Sequence, residues 1–112
     1  MPNISFNRIE NLALPGIPDL LCYNKNKHFF TLEMKVAKSN VVRLSPHQIA
    51  FHVKHPVNSF IIVKSLASSC SILYTGDQVQ ELFARGLKLE PIEQGLGACR
   101  SRLEACGSKL ET

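Results

Sequence analysis

The stretch Pro18-Asp19-Leu20-Leu21-Cys22-Tyr23-Asn24-Lys25-Asn26-Lys27-His28-Phe29-Phe30-Thr31-Leu32-Glu33-Met34-Lys35-Val36 decides the fold. Asp19 to Tyr23 and His28 to Val36 are rich in residues that favour strands, and the polar segment between them favours a turn. The two runs are therefore read as a β-hairpin. Side chains alternate along the second strand. Phe30, Leu32, Met34 and Val36 point one way and are expected in the core. Phe29, Thr31, Glu33 and Lys35 point the other way, so one face is apolar and the opposite face carries an acid and a base two residues apart. A three-residue loop at 25–27 would set Asp19 opposite Glu33 and bring two carboxylates onto that face.

Working outward, residues 4–13 are read as a short helix. Leu14-Pro15-Gly16-Ile17-Pro18 forbids regular helix, because each proline restricts the residue before it. Residues 37–44 read as a loop. Ser45-Pro46-His47-Gln48 is a helix start, with Ser45 as N-cap, Pro46 at the first helical position and Gln48 closing a capping box. Ile49 and Val53, with Phe51 or His52, are expected on the buried side of that helix, which ends near His55-Pro56. Ser59 to Ser65 and Ser71 to Thr75 read as strands, and Asp77 to Ala84 as a helix stopped by Gly86. The resulting fold class is α/β, a small mixed central sheet flanked by helices. A crossover through the Ser45 helix would be right-handed if its flanking strands run parallel.

The chain has 112 residues, enough for one modest core. At 45% hydrophobic and 20% charged residues it reads as globular, which excludes a disordered class. Its apolar runs are too short to span a bilayer as a helix. The N-terminal MPNISFNRIE lacks the pattern of a signal peptide, so a cytoplasmic location is expected (the host-cell cytoplasm for a viral protein). Cys22, Cys70, Cys99 and Cys106 form no CxxC pair, and are expected as free, mostly buried thiols rather than zinc ligands. From Ile92 onward, Ile92, Leu96, Cys99, Leu103, Cys106 and Leu110 alternate spacings of four and three, a heptad seam. Residues 91–112 are thus read as a helical tail behind a domain at 1–90. The tail either packs on its own core or forms a dimer. Gly95, Gly97 and Gly107 weaken its helix.

The formal net charge is +4, and the cations concentrate in the middle. Between Lys25 and Lys64 stand Lys25, Lys27, Lys35, Lys38, Arg43, Lys54 and Lys64, against a single acid, Glu33. Such a stretch suits a polyanion such as nucleic acid.

Asp19, Glu33 and Lys35 carry the chemistry. Hydrolysing a phosphodiester needs an activated water, stabilisation of added negative charge and neutralisation of the leaving oxygen. A divalent metal held by carboxylates serves all three. Mg²⁺ keeps several waters, so one or two carboxylates suffice to hold it. A nearby lysine can orient the water and offset developing charge. His47, His52 and His55 are read as phosphate contacts or plain surface. Tyr74 and Asp77 show no active-site context.

Gly16-Ile17-Pro18-Asp19, Glu33-Met34-Lys35 and the later Ser45-Pro46-His47-Gln48 resemble the PD-(D/E)XK nuclease superfamily. They look most like its virus-type replication-repair nuclease branch and small phage enzymes akin to Holliday-junction resolvases. Arg8-Ile9-Glu10-Asn11 is also similar to that group, and the resemblance spans roughly residues 7 to 65. It implies a restriction-endonuclease-like core. It also implies Mg²⁺ or Mn²⁺ on Asp19, Glu33 and the Met34 carbonyl, assisted by Glu10. Lys35 would act on the attacking water, and Gln48 would reach toward the site from its helix. Only nine residues precede Glu10, so the usual first helix of the group must be short or differently placed.

The expected activity is a structure-selective DNA endonuclease acting on branched DNA such as four-way junctions, with no organic cofactor and no membrane partner. The chain is too short for a separate sequence-reading domain. Phosphate contacts would come from Lys25, Lys27, Lys38, Arg43 and Lys54. Paired incisions imply a homodimer by analogy. Two alternatives are an enzyme of the same fold acting on flaps, nicked duplex or single strands, and a DNA-binding accessory protein that does not cut.

Overall fold

The computed structural model describes residues 3–9 and 18–107. Six strands form one sheet in the order β1-β2-β3-β4-β5-β6. They are β1 (Ile4–Arg8), β2 (Leu20–Asn24), β3 (Phe29–Ala37), β4 (Ser59–Ser65), β5 (Cys70–Thr75) and β6 (Glu93–Gln94). Three helices accompany them: α1 (Pro46–Lys54), α2 (Val79–Arg85) and α3 (Leu96–Ala105). Neighbouring strands run antiparallel except β3 and β4, which run parallel and are joined through α1. The sheet is therefore mixed and the class α/β. No helix among the described residues is long and apolar enough to cross a membrane.

The hairpin has the expected register. Leu20 pairs with Leu32 and Tyr23 with Phe29. Asn24 N–H donates to the His28 carbonyl at 3.2 Å, and Lys27 N–H to the Asn24 carbonyl at 3.0 Å. Residues 25–27 make the loop, with Lys27 at φ 58° supplying its left-handed step. One step beyond the last pair, Asp19 falls opposite Glu33.

The helix read at 4–13 is corrected. Residues 4–8 are β1, paired antiparallel with β2, while residues 10–13 lie outside the described residues. The open edge of the hairpin offers a ladder of backbone partners, and that tertiary choice overrides a weak helical pattern. Helix α1 starts as its residues dictate. Ser45 Oγ accepts from Gln48 N–H at 3.1 Å, Gln48 Oε1 accepts from Ser45 N–H at 3.0 Å, and Pro46 opens the helix.

Both sheet faces are covered, each by its own core. On the α1/α2 face Ala37, Ile61, Val63, Ile72 and Tyr74 pack under Val79 and Leu82. On the other, Cys22, Phe30, Leu32 and Leu73 pack under Cys99 and Leu103 of α3. Asn24 ties α3 down, its Nδ2 donating to the carbonyls of Leu103 at 2.9 Å and Cys106 at 2.7 Å. All four cysteines are free, and only Cys70 is not fully buried.

Three expectations about burial fail. Met34 and Val36 are 56% and 67% exposed, because α3 covers only the Phe30 and Leu32 end of that face. Val53 is exposed, and its place on the buried side of α1 is taken by His52. His52, offered both for that buried side and as a phosphate contact or surface residue, is fully buried. In the tail, Cys99, Leu103 and Cys106 pack on the chain's own core, whereas Leu96 faces outward.

Candidate active site

The hairpin register and the α1 crossover build the site. Thr31 N–H donates to the Asn58 carbonyl and the Ala37 carbonyl accepts from Leu66 N–H, both at 2.9 Å. The odd-numbered backbone groups of β3 thus serve its β4 edge. The even-numbered ones face β2. The β2 ladder stops at Leu20, and there the Asp19 side chain takes over, its Oδ2 accepting from Met34 N–H at 2.9 Å. The Met34 carbonyl leaves on the same edge. Asp19, the Met34 carbonyl and Glu33 are therefore neighbours at the point where β2 and β3 part.

Glu33 is 2% exposed, and its Oε1 has no hydrogen-bond partner. Burial, reinforced by the hydrogen bond to Asp19 and by that neighbour's charge, pushes its carboxyl up to about 8, while Lys35 pulls it back. A buried carboxyl oxygen without a hydrogen-bond partner is costly. Lys35 lies two residues on, and its Nζ donates to Gln48 Oε1 at 2.9 Å. That oxygen also closes the capping box, so the cap of α1 and the position of Lys35 share one acceptor.

Helix α1 runs back along β3, so one turn forward on the helix matches about two residues backward on the strand. Gln48 lies over Lys35, and His52, one turn later, lies toward Glu33. Its Nδ1 is 2.5 Å from Ser59 Oγ, and its Nε2 is buried without a partner. Burial, with smaller contributions from the neighbouring His55 and Lys35, lowers His52 to about 4. The sequence reading missed this Ser59–His52 pair. The signal available was the spacing of four between Gln48 and His52, which puts both on one helical face.

The structure brings Asp19, Glu33, Met34, Lys35 and Gln48 together, and Glu10 lies outside the described residues. The five basic residues expected to touch DNA are all exposed but do not form one patch. Lys25 and Lys27 sit in the hairpin loop, and Lys38 and Arg43 follow β3. The nine residues of that strand separate the two pairs by roughly 30 Å. Lys54 lies in the last turn of α1.

No protein-family profile, curated protein or solved structure matches this chain. What the site can hold is thus argued from its donors alone. Among the described residues no three His, Cys, Asp or Glu side chains converge as a metal cage. Two carboxylates and a backbone carbonyl still form an all-oxygen donor set suited to a hard divalent cation that keeps its waters. The orphaned Glu33 oxygen beside Asp19 fits such a cation, whose charge would offset the repulsion between the two carboxylates.

Proposed function

We propose that this protein is a Mg²⁺-dependent endodeoxyribonuclease with a restriction-endonuclease-like core, cutting branched DNA as a homodimer. The observation that carries the reading is the convergence of Asp19, the orphaned and buried Glu33 oxygen and Lys35 on one sheet face. No structural need is evident for burying one carboxyl group against a second in this way.

Asp19, Glu33 and the Met34 carbonyl would hold Mg²⁺ or Mn²⁺. A divalent cation bound there supplies Lewis acidity toward the phosphate and a nucleophilic water. Asp19 is preset for this role, since its Oδ2 is already oriented by Met34 N–H. Lys35, fixed by Gln48, positions the attacking water and offsets charge on the phosphate oxygens. The water oxygen bonds to phosphorus as it gives up a proton. The bond from phosphorus to the leaving deoxyribose oxygen breaks, and that oxygen takes up a proton. Gln48 is a positioning residue, acting through Lys35.

The test is cleavage of labelled four-way junction, flap, duplex and single-stranded DNA with Mg²⁺, Mn²⁺ or EDTA, with Asp19→Asn and Lys35→Ala beside the wild type. The expected result is paired cuts in the junction, absent in EDTA and in both variants. Cutting of a different substrate with the same dependences would keep the nuclease and change its target. Cutting that both variants retain, or none at all, would sink the site and favour the non-cutting accessory protein.

A further inference from the structure

Beside Lys35 the surface sinks into an open groove of about 770 Å³, lined by Lys35, Arg43, Gln48, Val41 and Phe83 among others. Its two cations come from β3 and the following loop, and its described lining holds no acid. Phe83 and Val41 are large apolar side chains left 56% and 64% exposed. A second hollow of about 590 Å³ shares Val41 and Phe83 and adds Arg85 and Lys88. Two apolar surfaces thus sit between cations, immediately beside the amine proposed to meet the phosphate.

The groove is held open by backbone, not by chance side-chain positions. Leu87 N–H donates to the Asn40 carbonyl at 2.7 Å, joining the β3–α1 loop to the end of α2. Gly86, at φ 61°, permits that approach, since a Cβ there would stand 1.9 Å from the Asn40 oxygen. The contact fixes Val41 on the loop beside Phe83 on α2. The site therefore exists before any ligand arrives.

We infer that this groove receives one unpaired nucleotide flanking the cut phosphate, with its base on Phe83 and Val41 and its phosphate on Arg43. The inference rests on the nuclease reading, which places the cut phosphate at Lys35. The chemistry is that of single-strand binding sites. Aromatic faces stack bases without regard to sequence, and cations track the backbone. A fully paired duplex keeps its bases stacked inward and offers Phe83 nothing. A branch point, gap or flap offers a free base. Selectivity for branched DNA then comes from this one exposed ring and requires no sequence-reading element.

The test is equilibrium binding by fluorescence anisotropy in EDTA, where nothing is cut. The probes are a blunt duplex, and a gapped and a four-way substrate carrying 2-aminopurine at the unpaired or branch-point position. Phe83→Ala should weaken the gapped and branched substrates by about 5- to 150-fold and leave the blunt duplex within twofold. Phe83→Trp should restore affinity, with quenching of both the indole and the 2-aminopurine. Arg43→Gln should weaken binding and reduce its salt dependence. Equal affinities for wild type and Phe83→Ala, an equal loss on all substrates, or no DNA binding at all would each overturn the groove assignment. Phe83 is surface-exposed, so its variants should melt like the wild type. Wild-type cleavage with Mg²⁺, scored separately, tells failure of the groove from failure of the nuclease reading.

Discussion

Two buried side chains, Glu33 of β3 and His52 of α1, titrate in opposite senses. His52 is lowered to about 4 from 6.5, so the unfolded chain binds its proton first. Its contribution to stability is present above 6.5 and lost as pH falls toward 4. Glu33 is raised to about 8 from 4.5, so the folded chain holds that proton. Its contribution is present below 4.5 and lost as pH rises through 8. The two slopes cancel between 4.5 and 6.5. Metal-free wild type should therefore owe little pH dependence to this pair there, and should lose stability from 6.5 toward 8. Glu33→Gln removes one slope and exposes the other. Its stability should rise by on the order of 3 kcal/mol between pH 4 and 6.5, and it should not share the decline toward pH 8. Urea unfolding across pH on both proteins measures this. A Glu33→Gln profile parallel to the wild type would mean that Glu33 is not the buried acid described. The variant should also lose Mn²⁺ binding in calorimetry, since it has one carboxylate fewer.

At the scale of elements, α1 holds the site through one residue with two duties, and the end of α2 through one close backbone approach. Gln48 Oε1 accepts both from the Ser45 backbone and from Lys35. Ser45→Ala removes only the cap and should cost about 1 kcal/mol with cleavage largely retained. Gln48→Ala should cost a similar amount of stability and lower kcat by tenfold or more, because Lys35 loses its anchor. Equal kcat in the two variants would make Gln48 a cap and nothing else. Just past α2, Gly86→Ala forces a Cβ into the Asn40 carbonyl at a positive φ. It should lower stability by more than about 2 kcal/mol, read by thermal melting, and weaken branched DNA more than duplex. The capping box and the hairpin were legible in the chain because both are local. The cap is four consecutive residues, and the register follows from a three-residue loop. His52, Ser59 and the Phe83 groove were not legible, for they depend on which strand α1 covers and on where a loop meets α2. The same limit explains Met34 and Val36: alternation gives their face, and only the reach of α3 says whether that face is covered.

For the whole molecule, the decisive question is what α3 is for. The spacing of its apolar residues allows either a partner helix or the chain's own sheet, and periodicity alone cannot choose between them. The sheet has a bare face at Cys22, Phe30, Leu32 and Leu73, and it takes Cys99, Leu103 and Cys106. Asn24 fixes the arrangement by satisfying two carbonyls at the end of the helix. The proposed homodimer would then form elsewhere. Residues outside this core that remain apolar and exposed, such as Met34, Val36 and Leu96, border a hollow of about 470 Å³ on the same face. Deleting residues 92–112 should accordingly abolish the cooperative melt rather than convert a dimer into a folded monomer. Losing Leu103 alone, as Leu103→Ala, should cost about 2–5 kcal/mol, a large share of the stability of a domain this size. Circular dichroism melts and light scattering on the truncated chain decide the point. A truncated protein that melts cooperatively as a monomer would return α3 to the role of a dimer helix. One that is unfolded or aggregated shows the tail to be the cover of the second core. The oligomer then has to be tested with single surface changes such as Val36→Lys or Leu96→Lys, which leave that core intact.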